Sequence, residues 1–141
     1  MKANFTIFGR PQGKGRPRFG QGRTYTPKAT RDYERRIADA YLDTCRINGT
    51  VQHFGDRPIR MEIIAFYPLP KSSTKAVQQA AFSGEIYPMI RPDLDNIVKT
   101  IMDALNGVAY DDDKQVMHIV AHKRFGIEGM VSVMLTDEVS L

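Results

Sequence analysis

Six carboxylates lie between Arg91 and Lys114, five of them in two knots. The first knot is Asp93-Leu94-Asp95-Asn96, with Lys99 one helical turn beyond Asp95; the second is Asp111-Asp112-Asp113, followed directly by Lys114. Neighbouring carboxylates repel unless a cation sits on them. Hard divalent ions such as Mg²⁺ take oxygen ligands and are usually held by one or two carboxylates plus substrate phosphates. The charge elsewhere is of opposite sign: residues 1–36 carry ten Lys/Arg against two acids, whereas residues 37–141 carry ten against fourteen, for a net charge of +4. An acidic metal site on a chain with a basic arm reads as an enzyme that cuts or joins a polyanion, most simply nucleic acid.

The elements that must position these residues are legible from periodicity. Leu94, Ile97, Val98, Ile101, Met102 and Leu105 recur at i, i+3, i+4, i+7, i+8 and i+11, which predicts an amphipathic helix closed by Asn106-Gly107. With that stripe turned to the core, Asp95, Lys99 and Asp103 line up at i, i+4 and i+8 on the other side. Asp93 falls at or just before the helix start, behind Pro92, and the helix N-terminus favours ionised carboxylates there. A short turn over Gly107–Tyr110 can return the chain so that the second knot meets the first. Each acid also has a plainer reading. Asp93 is a good N-cap, Asp95 and Lys99 form an ordinary i,i+4 pair contributing about 0.2–0.5 kcal/mol, a triple Asp is commonly a solvated turn, and Asp103 reads as surface.

Upstream, Asn4–Phe8 is a short strand. Residues 10–31 hold seven Lys/Arg, no acid and four Gly, which predicts a long exposed loop or loose hairpin. Its Arg10, Lys14, Arg16, Arg18 and Arg23 suit sequence-independent phosphate contact, and Phe19 or Tyr25 suits base stacking or packing. Thr26-Pro27 reads as an N-cap and first helical residue for a helix ending at Asn48-Gly49. Alternation from Ile59 to Tyr67 marks a strand, Ser72 or Ser73 caps a short helix to about Phe82, and Val116–Phe125 and Met130–Thr136 read as two strands joined by a hairpin loop at Gly126–Gly129. The fold class is α/β: a small mixed sheet of about four strands with about three helices, in the order β-α-β-α-α-β-β, forming one domain over residues 1–141. Cys45 is the only cysteine, which leaves no intramolecular disulfide or cysteine-based zinc site. The chain has neither a signal-peptide pattern at its start nor a window near the ~20 apolar residues of a membrane span, so the expected location is the cytoplasm.

The run Arg91-Pro92-Asp93-Leu94-Asp95-Asn96-Ile97-Val98-Lys99, then Asp103-Ala104-Leu105-Asn106-Gly107 and Tyr110-Asp111-Asp112-Asp113-Lys114-Gln115-Val116, resembles the RusA family of Holliday-junction resolvases. The likeness extends to Gly15–Arg18, the Thr-Pro helix start, Pro68-Leu69-Pro70-Lys71-Ser72 and Lys123–Gly126, and so spans nearly the whole chain. It implies a small homodimeric endonuclease that depends on Mg²⁺, with Mn²⁺ able to substitute, and cuts four-way DNA junctions symmetrically. By position it implies a metal site of Asp93, Asp95 and Asp113 with Asp112 beside them, and a catalytic lysine at Lys99. The third acid of the second knot leaves open whether Asp111, Asp112 or Asp113 is the main ligand there.

Two other readings remain. Pro92-Asp93 with Asp112-Asp113-Lys114 formally satisfies the restriction-enzyme pattern PD…(D/E)xK, which requires its two parts on neighbouring strands. A non-catalytic branched-DNA-binding module would use the acids for a structural cation. His118 and His122 lie four apart on a strand, too far for a shared metal, and read as surface or DNA-facing; His53 is in a loop.

Overall fold

The computed structural model describes residues 1–49 and 53–140. Strand β1 (Lys2–Phe8) turns Ala3, Phe5 and Ile7 inward. The basic arm that follows folds back as a hairpin of β2 (Arg18–Gly20) and β3 (Arg23–Tyr25). Gln21 and Gly22 at its tip both have positive φ, 52° and 74°, the twist a two-residue turn needs to match its strands. Helix α1 (Lys28–Ile47) starts one residue later than the sequence predicts. Pro27, with ψ at 147°, is itself the N-cap, and its carbonyl accepts from Arg31 N–H at 3.1 Å. Strand β4 (Ile59–Pro68) follows, and its inward residues Ile59, Met61, Ile63, Ala65 and Tyr67 are all fully buried. Helix α2 (Lys75–Phe82) is capped by Thr74, not by Ser72 or Ser73: the Thr74 hydroxyl accepts from Val77 N–H at 3.2 Å.

Helix α3 occupies Leu94–Leu105, as its stripe requires, and buries Ile97, Thr100, Ile101, Ala104 and Leu105. A 3₁₀ turn at Asp113–Gln115 leads into β5 (Val116–Gly126) and then β6 (Met130–Thr136). The sheet order is β1-β6-β4-β5, with β4 and β5 parallel and the other neighbours antiparallel. Helices α1 and α3 pack on each other and on the sheet in a core that includes Ile37, Tyr41, Ile97 and Ile101. The described elements are thus the expected three helices and a mixed four-stranded sheet, with the small arm hairpin in addition.

A further expectation fails. Gly126–Gly129 is not a hairpin, because β4 lies between β5 and β6. Three residues, Ile127–Gly129, reach about 10 Å, twice the ~4.8 Å strand spacing, so the chain can step over the end of β4. Burial drives the choice. In β6, Val131, Val133, Met134, Leu135 and Thr136 are buried and suit the sheet interior, whereas β5 exposes Met117, His122 and Arg124 as an edge strand does. Gly129 closes the corner: Gly9 N–H donates to its carbonyl at 2.9 Å, and a Cβ there would lie 2.7 Å from Arg10 Cα.

Helix α3 carries the first acidic knot, so its seat on the sheet matters. Ile101 is 1% exposed at the centre of that seat. Ile101→Ala is expected to lower the unfolding free energy by about 2–5 kcal/mol, measured as a drop in the urea midpoint; an unchanged midpoint would mean that α3 is not held by this packing.

Candidate active site

Asp93 is the N-cap of α3 by backbone, with φ −68° and ψ 150°, yet its carboxylate makes no capping hydrogen bond. The plain capping role is therefore unfilled, and the side chain is left to face solvent. Asp95, in the first turn, accepts among the described residues only from the adjacent Asn96 N–H, at 2.9 Å. The end of β4 holds this helix start in place. The Tyr67 hydroxyl donates to the Pro92 carbonyl at 2.8 Å, and its ring is flanked by the Arg10 guanidinium at 5.8 Å and the Lys123 ammonium at 5.1 Å. Burial raises the Tyr67 phenol to about 12, with Asp93 among the smaller causes, so the hydroxyl stays a donor. Lys123 in turn donates to the Ile90 carbonyl at 2.6 Å.

The return from α3 is built by Tyr110, fully buried, whose hydroxyl donates to the Met102 carbonyl at 2.9 Å. Gly107, at φ 77°, makes the reversal, and its N–H donates to Tyr110 O at 2.8 Å. The second knot then divides. Asp111 is exposed and turned toward His53, 3.9 Å from its Nε2. Asp112 caps the 3₁₀ turn, accepting from Lys114 N–H at 3.1 Å, while its own N–H donates to Gln115 Oε1 at 3.0 Å. Buried Gln115 bonds the carbonyls of Gly55 and Arg57 at 2.7 and 2.6 Å, which fixes the turn to the chain before β4.

Asp113 faces the side of α3. Partial burial, a hydrogen bond shared with Asp112 and the nearby Asp103 raise its carboxyl above the usual range, and Lys99 acts the other way. Asp112 is lowered, first by the Lys114 N–H and then by the bond to Asp113.

Asp103 departs from its expected role. It is not a solvated surface acid: its side chain is 20% exposed, and Oδ2 lies 2.5 Å from Lys14 Nζ and 3.5 Å from Lys99 Nζ. Lys14 also lies 3.4 Å from Glu34 Oε1 on α1. The hydrogen bond that Lys14 donates to Asp103 is the main cause that raises its ammonium above the ordinary value. The arm is tied to the site at the same point. Asn96 clamps the Lys14 backbone in two directions, with Oδ1 accepting from its N–H at 3.0 Å and Nδ2 donating to its carbonyl at 3.2 Å. Gly15 N–H donates to buried Thr30 on α1 at 2.8 Å. A cleft lined by Gly13, Lys14, Arg16, Arg91, Pro92, Asp93 and Asn96 therefore runs between the arm and the first knot. Arg18 and Arg23 stand on the exposed hairpin with Phe19, and Arg10 lies over Tyr67.

The donor chemistry fits a hard dication: Asp93, Asp95, Asp112 and Asp113 are carboxylates, and none forms an ion pair among the described residues. The placement is less complete. Among the described residues no three Asp, Glu, His or Cys side chains converge as a ready metal site. Asp112 and Asp113 are together, and they meet α3 near Lys99 and Asp103, whereas Asp93 and Asp95 stand at the helix start. Asn96, Asp103 and Tyr67 were not foreseen as site residues. Asn96 lay inside the acidic motif, Asp103 lay on the Asp95–Lys99 stripe, and Tyr67 ended an alternating strand.

The PD…(D/E)xK geometry is absent, since Asp93 begins a helix, Asp112–Lys114 lie in a turn, and neither is on a strand. His122 is exposed as expected, but His118 is half-buried with Nδ1 enclosed and without a hydrogen bond. Among the described residues no helix is long and apolar enough to cross a membrane.

Comparison with known proteins shows the family. The family model described as Endodeoxyribonuclease RusA matches residues 9–136. The chain is also 31% identical, over 142 aligned positions covering 94% of both chains, to the uncharacterised protein YqaN of Bacillus subtilis strain 168.

Proposed function

The chain belongs to the RusA family of endodeoxyribonucleases, and from that premise we propose that it is a Mg²⁺-dependent resolvase of four-way DNA junctions. It acts as a homodimer that nicks two symmetry-related strands, with Mn²⁺ able to replace Mg²⁺. The observation that carries the proposal is that four carboxylates without an ion-pair partner among the described residues, two at the start of α3 and two on the 3₁₀ turn, share one part of the fold with Lys99 and with a cleft lined by the basic arm.

Asp93, Asp95, Asp112 and Asp113 would hold the metal. A bound hard dication supplies an activated water and neutralises charge at the scissile phosphate. The remaining work falls to the chain. Lys99, on the exposed side of α3, stabilises the charge that develops as the phosphodiester is attacked. Arg16 and Arg91 line the cleft beside Asp93 and seat the strand to be cut. Arg10, Arg18 and Arg23 grip flanking phosphates without reading sequence. A two-fold dimer presents two such sites to a substrate whose strands are related by the same symmetry.

The arm must rest on α3 for this to work. A Cβ on Gly13 would lie 2.6 Å from Asn96 Nδ2 and 2.9 Å from Pro92 Cβ, so Gly13→Ala lifts the arm off the helix start. The expected result is a rise of about tenfold in the junction dissociation constant, measured by gel shift in EDTA; unchanged affinity would remove the arm from the binding surface.

The reaction itself is tested by incubating a synthetic junction and a linear duplex with the protein in Mg²⁺ and in EDTA. Nicked junction in Mg²⁺ only, with the duplex intact, is the expected result. Junction binding with no product in Mg²⁺ or Mn²⁺ would leave a binding module.

A further inference from the structure

We infer that Asp103 is a positioning residue: it restrains the Lys99 ammonium on the exposed side of α3 and ties that lysine to Lys14 at the root of the basic arm. The inference rests on the proposed resolvase reading for what Lys99 does, but not for where Lys99 is held.

One oxygen, Asp103 Oδ2, serves two ammonium groups, Lys14 at 2.5 Å and Lys99 at 3.5 Å. Glu34 Oε1 lies 3.4 Å from Lys14 on its other side and is buried without a hydrogen bond of its own. Four charges of alternating sign thus run Glu34, Lys14, Asp103, Lys99, drawn from α1, the arm and α3. The last of them acts electrostatically on Asp113.

Neither half of the chain of charges is explained by helix or loop stability alone. Lys99 and Asp103 are an i,i+4 pair with the lysine first, the weaker orientation for a helix. The arm root is already held by the two Asn96 hydrogen bonds and by Gly15 on Thr30. Lys99, by contrast, needs a tether. Its side chain is 65% exposed, and an ammonium on a four-carbon stem is a mobile point charge unless something restrains it.

Asp103 restrains it only while its own charge is shared. Without Lys14, the whole Asp103 charge falls to Lys99 and draws the ammonium down onto α3, away from a phosphate at the acidic knots. Without Asp103, Lys99 is loose. Lys14 thereby belongs to the positioning of Lys99, and Arg16 and Arg18 carry the phosphate contacts of the arm root.

The test compares Asp103→Asn, Asp103→Glu, Lys14→Ala and Arg16→Ala with wild type in single-turnover junction cleavage, in junction binding in EDTA, and in NMR spectra of ¹³Cε-labelled lysines. Asp103→Asn and Lys14→Ala are expected to slow cleavage about tenfold, while junction affinity stays within about twofold. Arg16→Ala weakens junction binding, and Asp103→Glu, which keeps the charge, recovers most of the rate. In a Lys99→Ala background neither Asp103→Asn nor Lys14→Ala has a further effect, since the group they position is gone. The Lys99 ¹³Cε signal moves in both variants, with or without DNA. Weaker binding at an unchanged rate for Lys14→Ala, full additivity with Lys99→Ala, or a Lys99 signal indifferent to Asp103 would each overturn the inference. The spectra are read on the free protein, so they decide the matter even if no junction is cleaved.

Discussion

Asp113→Asn is expected to reduce junction cleavage by a factor of about 10³ or more, while the folded protein and its affinity for the junction persist. Asp113 is the member of the second knot that faces Lys99 and Asp103, and partial burial together with the neighbouring carboxyls already resists its ionisation. A dication relieves that resistance; an amide of the same shape cannot bind one as a charged ligand. The variant separates function from stability by sign. A carboxyl whose pKa is raised in the folded state destabilises the fold at pH values above the unfolded value, because there the folded protein must hold an unfavourable charge. Removing the charge should therefore leave the thermal midpoint unchanged or raise it in metal-free buffer, even as activity disappears. A fall in the midpoint matching the loss of activity would instead make Asp113 a structural residue. Asp111→Asn gives the contrast, because Asp111 turns to His53 and its loss should leave most of the rate.

Lys99→Ala is expected to cost about 10²–10³ in the cleavage rate, and Lys114→Ala very little. The two lysines are rival candidates for a single role. Lys99 lies 3.5 Å from Asp103 and acts on Asp113 electrostatically. Lys114 is exposed on the 3₁₀ turn, and its backbone N–H, not its ammonium, donates a hydrogen bond to Asp112. Single-turnover cleavage of a junction at saturating protein reads the chemical step and keeps binding out of the comparison. Dependence on Lys114 with Lys99 dispensable would restore the PD…(D/E)xK mechanism despite its missing strands.

The residues differ in how far the sequence alone could place them. Helix α3 was legible to the residue because six apolar side chains repeat at helical spacing, and that fixed Asp95, Lys99 and Asp103 on one face. Alternation in β4 was equally plain. What periodicity could not give was partnership between distant segments. Asp103 faces outward on its own helix and so reads as surface; only the arm folding back with Lys14 encloses it. Lys14 looked like one more phosphate contact among five basic residues, since nothing local shows that its ammonium lies between Asp103 and Glu34. The loop at Gly126–Gly129 carries the letters of a hairpin turn, and strand order is decided by which strand has two buried neighbours. The charge on β5 and the apolar run of β6 held that information.

The central claim is that this chain cuts a four-way junction at two symmetric sites, and mapping the nicks tests it most directly. A synthetic junction labelled on each of its four strands in turn is incubated in Mg²⁺ and the products are resolved on a denaturing gel. Nicks at equivalent positions in one opposed pair of strands, absent in EDTA, are the result predicted. Cuts at unrelated positions, equal cutting of linear duplex, or intact strands under saturating binding would contradict it.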